Sequence, residues 1–144
     1  MSPSKFAVLA ANVSEAFRVE IIDPVSDSVI KDNDKKAAFI EVLSADSEVG
    51  RAFDKEQRAA LTRKALRGRS GESADQLEQN IAKCAALTKS WHLVDPGTGE
   101  VIDVPCSVEN AIELYSQPGM NWLFVQAWVA ANDAANFIKR SPKT

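Results

Sequence analysis

The first third of the chain carries the pattern of β-strands. Residues 17–21 alternate apolar and polar side chains, and a period of two is typical of a strand with one buried face. Asp23-Pro24 ends this segment, because proline lacks a backbone donor and restricts the residue before it. Residues 25–30 and 38–43 predict two further strands on either side of a polar turn.

Helical spacing replaces this alternation after residue 44. Val49, Phe53 and Leu61 belong to an apolar stripe on a basic helix that follows N-cap candidates at 44–47 and ends near Gly68. A second helix is predicted over 72–88, with Ser73 as its cap.

The last third mixes short strands with helices. Asp95-Pro96-Gly97-Thr98-Gly99 is a strong turn signal, and it predicts a hairpin over 91–104. Ser107 should cap a helix that runs to about Tyr115. A final helix is predicted from Met120 to Lys139, and its first half is apolar nearly all round, so we expect burial on more than one face.

These elements predict an α+β fold in a single domain over residues 1–144. An N-terminal antiparallel β-hairpin or meander, covered by helices, should precede a mainly helical part that contains the small hairpin near 91–104. Within that domain we expect a flexible arm or short strand at 1–14, a strand-rich part at 15–44 and a helix-rich part at 45–144.

The amino-acid composition indicates the class of protein and its compartment more clearly than its function. The 144 residues are 45% hydrophobic and 26% charged, with a net charge of −3, which is ordinary for a folded soluble protein and gives no bias toward nucleic acid or a membrane. The apolar run at 6–11 is shorter than a secretory signal requires. Cys84 and Cys106 are far apart. One disulfide between them is an alternative, but two reduced thiols in the cytoplasm are the expectation.

Few residues have the pattern of a catalytic or metal site. His92 is the single histidine, and without a Ser or Cys partner it is expected to be a packing or surface residue. Two separate cysteines and one histidine do not match known zinc spacings. Gly97-Thr98-Gly99 lacks the lysine of a phosphate loop. We therefore expect no catalytic residue, no cofactor and no metal, and a protein that is not an enzyme.

The helix rich in basic residues is a candidate surface for binding nucleic acid. Seven basic residues lie between Arg51 and Arg69, but at about 100° per residue they spread over both halves of the helix. Asp54 and Glu56 reduce the positive field further. The pattern favours a solvated surface over a nucleic-acid footprint, and a contact with an acidic protein partner stays open.

The aromatic residues of the last helix suggest a binding surface instead. Trp122 and Val125 are expected in the core, which leaves Phe124 and Trp128 facing elsewhere. An apolar face in so small a chain is expected to contact another subunit or a partner, where aromatic residues are common anchors. A purely internal role for these side chains is the alternative. The predicted partner-binding residues are Tyr115, Phe124, Trp128 and Ile138.

The order of motifs resembles the tail assembly chaperones and related small tail proteins of long-tailed bacteriophages. The resemblance covers about residues 16–138. It rests on the segments Asp23-Pro24, Phe39 to Leu43 leading into Asp46-Ser47, Trp91, Asp95 to Gly99, Ser107 to Asn110, and Asn136-Phe137.

This resemblance implies a non-catalytic assembly factor in the cytoplasm of the host cell. It would bind the tape measure protein, keep it soluble, and help the tail tube protein assemble around it. Two alternatives stay open: a structural virion component such as a tail completion or connector subunit, and a small nucleic-acid-binding regulator that uses the helix from Arg51 to Arg69.

Overall fold

The computed structural model describes residues 15–66 and 76–138, and the fold over these ranges is α+β, as predicted. The strands are β1 (Phe17–Glu20), β2 (Ile22–Asp23), β3 (Ser28–Val29), β4 (Phe39–Val42), β5 (Thr88–Val94) and β6 (Val101–Ile102). The helices are α1 (Glu48–Leu66), α2 (Gln76–Leu87), α3 (Val108–Ser116) and α4 (Asn121–Asn132), followed by a 3-10 helix at Ala134–Phe137.

One antiparallel sheet joins the two strand-rich parts of the chain. Its order is β1-β4-β5-β6, with Phe17 opposite Val42 and Ile40 opposite Trp91. β2 and β3 form a separate hairpin. The predicted strand segments are therefore present, and the hairpin near 91–104 exists as β5 and β6. β5 begins earlier than expected, at Thr88. It pairs antiparallel with β4, after α1 and α2 have returned the chain to the sheet.

The hydrophobic core lies between one face of this sheet and the helices. Ile40 and Val42 of β4 are fully buried, and so are Leu87 at the end of α2 and Ala127 of α4. α4 packs on β1 and β4, while α2 packs on β5 and on the other helices. Alternation along β4 therefore sends its β-branched side chains to the helices and its remaining side chains to the opposite face.

Local capping follows the sequence closely at two helices. Ser107 is the N-cap of α3, where its side chain accepts a hydrogen bond from the Asn110 backbone N–H, as predicted. Ser47 accepts the Gly50 N–H before α1 in the same way. Each serine oxygen satisfies a backbone donor that has no partner within the helix.

α1 is less buried than its apolar stripe suggested. Gly50 is its one buried residue over Glu48–Leu66, while Val49 and Leu61 are exposed. The helix packs on α2 and is tied to it by the Lys83–Asp54 ion pair at 2.9 Å. α1 therefore packs on α2, while Val49 and Leu61 of its apolar stripe stay exposed outside the main core.

The last helix is shorter than predicted. α4 ends at Asn132, and the Asp133 side chain accepts the Ala135 N–H to begin the 3-10 helix. Asn136 donates its side-chain amide to the Ala130 carbonyl. Short polar side chains that bond to nearby backbone compete with helical hydrogen bonds, and Asn132, Asp133 and Asn136 form such bonds here.

Several sequence expectations lie outside the described residues. These are the arm at 1–14, the Arg67–Gly71 break, the Ser73 cap and the end of the last helix at Lys139.

Replacing Gly50 with alanine should destabilise the fold. A Cβ at this position would lie 2.1 Å from the Ala45 carbonyl oxygen, and Ala45 is itself held by a hydrogen bond to the Ala131 carbonyl. We expect a loss of about 1–3 kcal/mol in the free energy of unfolding, measured in urea, because backbone must move. Gly97→Ala is the control, since its one close neighbour is an Asp95 side-chain oxygen at 3.3 Å. Equal losses in both variants would contradict this role for Gly50.

Candidate functional site

Two of the four predicted partner-binding residues are core residues. Phe124 is 4% exposed and Tyr115 is 3% exposed, and their ring centroids are 5.7 Å apart. The Tyr115 hydroxyl is hydrogen-bonded to Thr88 at 2.7 Å. The expectation that Phe124 points away from the core is therefore wrong, and the folded chain does not present either ring to a partner.

Trp128 and Ile138 are half-buried. The Trp128 ring stacks on Phe124 with centroids 6.0 Å apart, so the structure brings Tyr115, Phe124 and Trp128 into one aromatic cluster. Ile138 follows the 3-10 helix, where its backbone N–H donates to the Ala135 carbonyl. Part of each of these two side chains is in contact with water and is therefore accessible to a partner.

The exposed apolar side of α4 is the side that the sequence analysis assigned to the core. Val125 is 41% exposed and Val129 is 58% exposed. Trp122, one turn earlier on the same face, is half-buried. Val125 was expected inside, and the reason for the error is physical: α4 is apolar nearly all round, so its periodicity does not indicate which face meets the sheet.

Gln126 places a strand residue beside this helix face. Its side-chain amide donates to the Ile22 carbonyl, and its carbonyl oxygen accepts the Ile22 N–H, both at 2.9 Å. The Ile22 side chain is exposed. We call Ile22, Trp122, Val125 and Val129 the α4 stripe. A polar clamp holds these residues on two elements, so the surface is ordered.

A groove of about 490 Å³ with charged and aromatic lining lies along β1, β4 and β5. Its lining residues are Arg18, Glu20, Lys36, Ala37, Phe39, Trp91 and His92. The Arg18 guanidinium lies 3.9 Å from the centroid of the Phe39 ring and 3.5 Å from Glu41. Glu41 also accepts a hydrogen bond from Ser90 at 2.8 Å. Side chains of β1, β4 and β5 thus form ionic, hydrogen-bond and cation–π contacts with one another.

His92 anchors a loop at the rim of this groove. Its Nε2 lies 2.8 Å from the buried Asp32 carboxylate, which also accepts the backbone N–H groups of Lys36 and Asp34. The Lys36 bond, followed by the bond to His92, holds the pKa of Asp32 below its usual value. Within the described ranges, no hydroxyl or thiol is hydrogen-bonded to His92, and its observed contacts are structural.

The cysteines are free thiols in poorly reactive surroundings. Burial raises the pKa of the Cys84 thiol to about 12 and also raises that of Cys106. Both are therefore protonated at neutral pH, whereas a nucleophilic cysteine needs its thiolate. Over residues 15–66 and 76–138 no three His, Cys, Asp or Glu side chains come together as a metal site. In the same ranges no helix is long and apolar enough to cross a bilayer.

Two of the five basic residues of α1 are paired with neighbouring carboxylates, and no ion pair among the described residues includes Lys55, Arg58 or Lys64. Arg51 pairs with Asp46 at 2.9 Å and Arg63 with Glu56 at 3.1 Å. These pairs use the guanidinium groups that a phosphate backbone would need. The described basic residues of α1 are all exposed, and the interpretation of this helix as a solvated surface stays a prediction.

Comparisons with protein-family models, with curated proteins and with solved structures found no match to this chain.

Sequence reasoning missed a third surface, at residues 100–113. Five large apolar side chains are exposed there, namely Val101, Ile102, Val104, Val108 and Ile112. A sequence signal for it existed: no Lys or Arg occurs between Lys89 and Lys139, so the apolar and acidic residues of this region have no basic neighbours along the chain.

Replacing Phe124 and Val125 separately should distinguish the core face of α4 from its exposed face. Phe124→Ala should lower the free energy of unfolding by about 3–5 kcal/mol, because it leaves a cavity in the core. Val125→Ser should change it by less than about 1 kcal/mol, since the side chain is already in contact with water. Urea denaturation followed by circular dichroism measures both. A Phe124→Ala variant as stable as the wild type would contradict the burial described above.

Asp32→Asn should destabilise the protein in a pH-dependent way. Because folding lowers the pKa of Asp32, its carboxylate stabilises the native state above the unfolded pKa of about 3.9. That contribution is lost as the pH falls through the lower folded value. The difference between wild type and Asp32→Asn should be full at pH 6 and should shrink below about pH 4. Asp34→Asn is the control, and an equal pH-dependent loss there would argue against the role of Asp32.

Proposed function

We propose that this chain is a non-catalytic protein-binding factor, and specifically a tail assembly chaperone of a long-tailed bacteriophage. It binds the tape measure protein in the host cytoplasm and promotes assembly of the tail tube. The specific part of this proposal is supported by the resemblance over about residues 16–138. The general part is supported by exposed apolar surface on ordered elements.

The α4 stripe is the observation that carries the proposal. Val125 and Val129 lie one helical turn apart, and the Gln126 clamp adds the exposed Ile22 beside them. Burying a valine or isoleucine side chain is worth about 1.5–3 kcal/mol. Because Ile22, Val125 and Val129 are 41–58% exposed, covering them contributes only part of that amount for each residue. This contribution adds to the rest of an apolar, complementary interface, which must also offset the cost of association.

This assignment changes the residues at which binding is expected. The partner-binding residues predicted from the sequence are Tyr115, Phe124, Trp128 and Ile138. The first two are buried, so the proposed contact moves to the α4 stripe, and the half-buried Trp128 and Ile138 stay as candidates for its periphery. A partner that covers the α4 stripe removes apolar side chains of α4 from water, as expected from the sequence, but it does so at a different face of the helix.

Co-expression with the tape measure protein of the same phage should test this surface. The wild-type chain should raise the soluble fraction of the tape measure protein and co-purify with it. Val125→Ser combined with Val129→Ser should weaken that binding roughly tenfold or more, because two apolar contacts are lost. The matched control is Leu61→Ser with Leu66→Ser, which changes two exposed leucines of α1. Equal effects of both double variants would argue against the α4 stripe.

Mass spectrometry of purified virions should separate the chaperone from a structural tail component. A chaperone acts before completion, so we expect the tape measure and tail tube proteins in the particle without stoichiometric amounts of this chain. A constant copy number per virion would instead support a tail completion or connector subunit.

A further inference from the structure

A second group of exposed apolar side chains lies at residues 100–113, before α4 in the sequence. We call residues 100–113 the β6–α3 ribbon, because they run from β6 through a linker into α3. Scattered exposed apolar residues are normal on a protein surface, but a dense group is typical of an interaction site. Five large apolar side chains are exposed within this one short segment.

The ribbon is held in place by contacts with the rest of the fold. β6 pairs with β5, with Ile102 opposite Leu93 and Val101 opposite Val94, and both β5 residues are buried. The Trp91 indole N–H donates to the Val104 carbonyl at 2.8 Å. Consecutive strand residues face opposite sides of a sheet, so Val101 and Ile102 lie on the two faces of the edge strand β6. The exposed side chains project from an ordered scaffold, and a partner would not have to order the segment before binding.

α3 divides its side chains between the core and the ribbon. Ala111 and Tyr115 are buried one turn apart, while Val108 and Ile112 are exposed one turn apart on another face. The Asn110 side chain donates to the Pro105 carbonyl and so joins the start of α3 to the linker. Val108 and Ile112 are not part of the core, so they are available for contact with a partner.

The charges around these apolar residues are of one sign. Glu100, Asp103, Glu109 and Glu113 are exposed within the ribbon, and no Lys or Arg lies between Lys89 and Lys139 in sequence. Among the described residues, every ion pair involves carboxylates outside this segment. These four carboxylates therefore keep their negative potential, which attracts cationic partners and repels phosphate groups.

We infer that the β6–α3 ribbon binds a basic amphipathic protein segment, in which Lys or Arg side chains flank apolar ones. The apolar residues supply burial, and the carboxylates select the sign of the partner's charge. An acidic surface of this kind repels nucleic acids and anionic lipid headgroups, so a protein segment is the occupant. This inference rests on the proposed function in one respect, namely that the bound segment belongs to a partner protein.

Side chains, and not strand addition, make this contact. β6 is two residues long, and so short an edge offers few backbone groups to an added strand. A second copy of the chain is a poorer occupant, because two copies with a net charge of −3 repel each other, and α1 carries Glu48, Asp54 and Glu56 among its basic residues.

Fluorescence anisotropy with a defined probe tests this inference. The probe is a labelled 18-residue helical peptide of lysine and leucine with its leucines on one face, and the comparison peptide has glutamate in place of lysine. The full chain should bind the lysine probe, more weakly at high salt because exposed charges are screened, and should bind the glutamate peptide at least about tenfold less well.

Two ribbon variants separate charge from apolar contact. Each should weaken binding of the lysine probe roughly tenfold or more. The charge variant keeps the apolar side chains in place, so it stays informative if the apolar variant folds poorly. The charge variant is E100Q/D103N/E109Q/E113Q, and the apolar variant is V101S/I102S/V108S/I112S.

Matched controls remove the same groups elsewhere on the surface, and each should change probe affinity less than about threefold. The charge control is E20Q/D34N/E48Q/E78Q, and the apolar control is V25S/V49S/L61S/L66S.

Three results would overturn the inference. Equal weakening by the charge variant and its control would mean that the probe senses net charge alone. Equal binding of the two peptides would remove the charge selectivity. Self-association of the wild-type chain in light scattering, abolished by the charge variant, would make a second copy the occupant. None of these results bears on the α4 stripe, whose test uses the tape measure protein, so the two proposals fail separately.

Discussion

Burial of Ile40 and Val42 on β4 is the constraint from which the other elements take their places. β4 lies between β1 and β5 in the sheet, and its two apolar side chains are almost completely inaccessible to water. The residues just after β4 extend this anchoring, because Leu43 donates to the Leu87 carbonyl and Ala45 donates to the Ala131 carbonyl. One short strand therefore joins the sheet to the ends of α2 and α4.

The exposed surfaces follow from what this core leaves unused. Small residues such as Ala127 and Ala131 let α4 approach the sheet closely, and the opposite side of the helix is then left with valines in contact with water. α3 likewise turns Tyr115 inward and Ile112 outward. The helical parts of both proposed binding surfaces are thus the outer sides of α4 and α3, whose inner sides are already packed. Strand and linker residues supply the rest, so binding a partner requires no rearrangement of the core.

Much of the local structure was predictable because its causes lie within a few residues. The Ser107 cap needs only the serine oxygen and a nearby backbone N–H. The turn at 95–99 needs Asp95 to accept the Gly97 N–H and Gly99 to adopt a positive φ of 76°. The pairing of β5 with β4 was not predictable in the same way, since its two strands are separated by both α1 and α2. The candidate sites were predicted poorly for a related reason: an all-round apolar helix has no preferred face until its neighbours are known.

The amino-acid sequence by itself determined the α+β class, the strand and helix segments, and the acidic, lysine-free and arginine-free character of residues 90–138. Those properties depend on side-chain type and short-range periodicity. Only the tertiary structure decided that Phe124 is buried and Val125 exposed, and that Asp32 is paired with His92 across 60 residues of chain. Burial and long-range pairing depend on which elements pack together, and that information is not contained in any single segment.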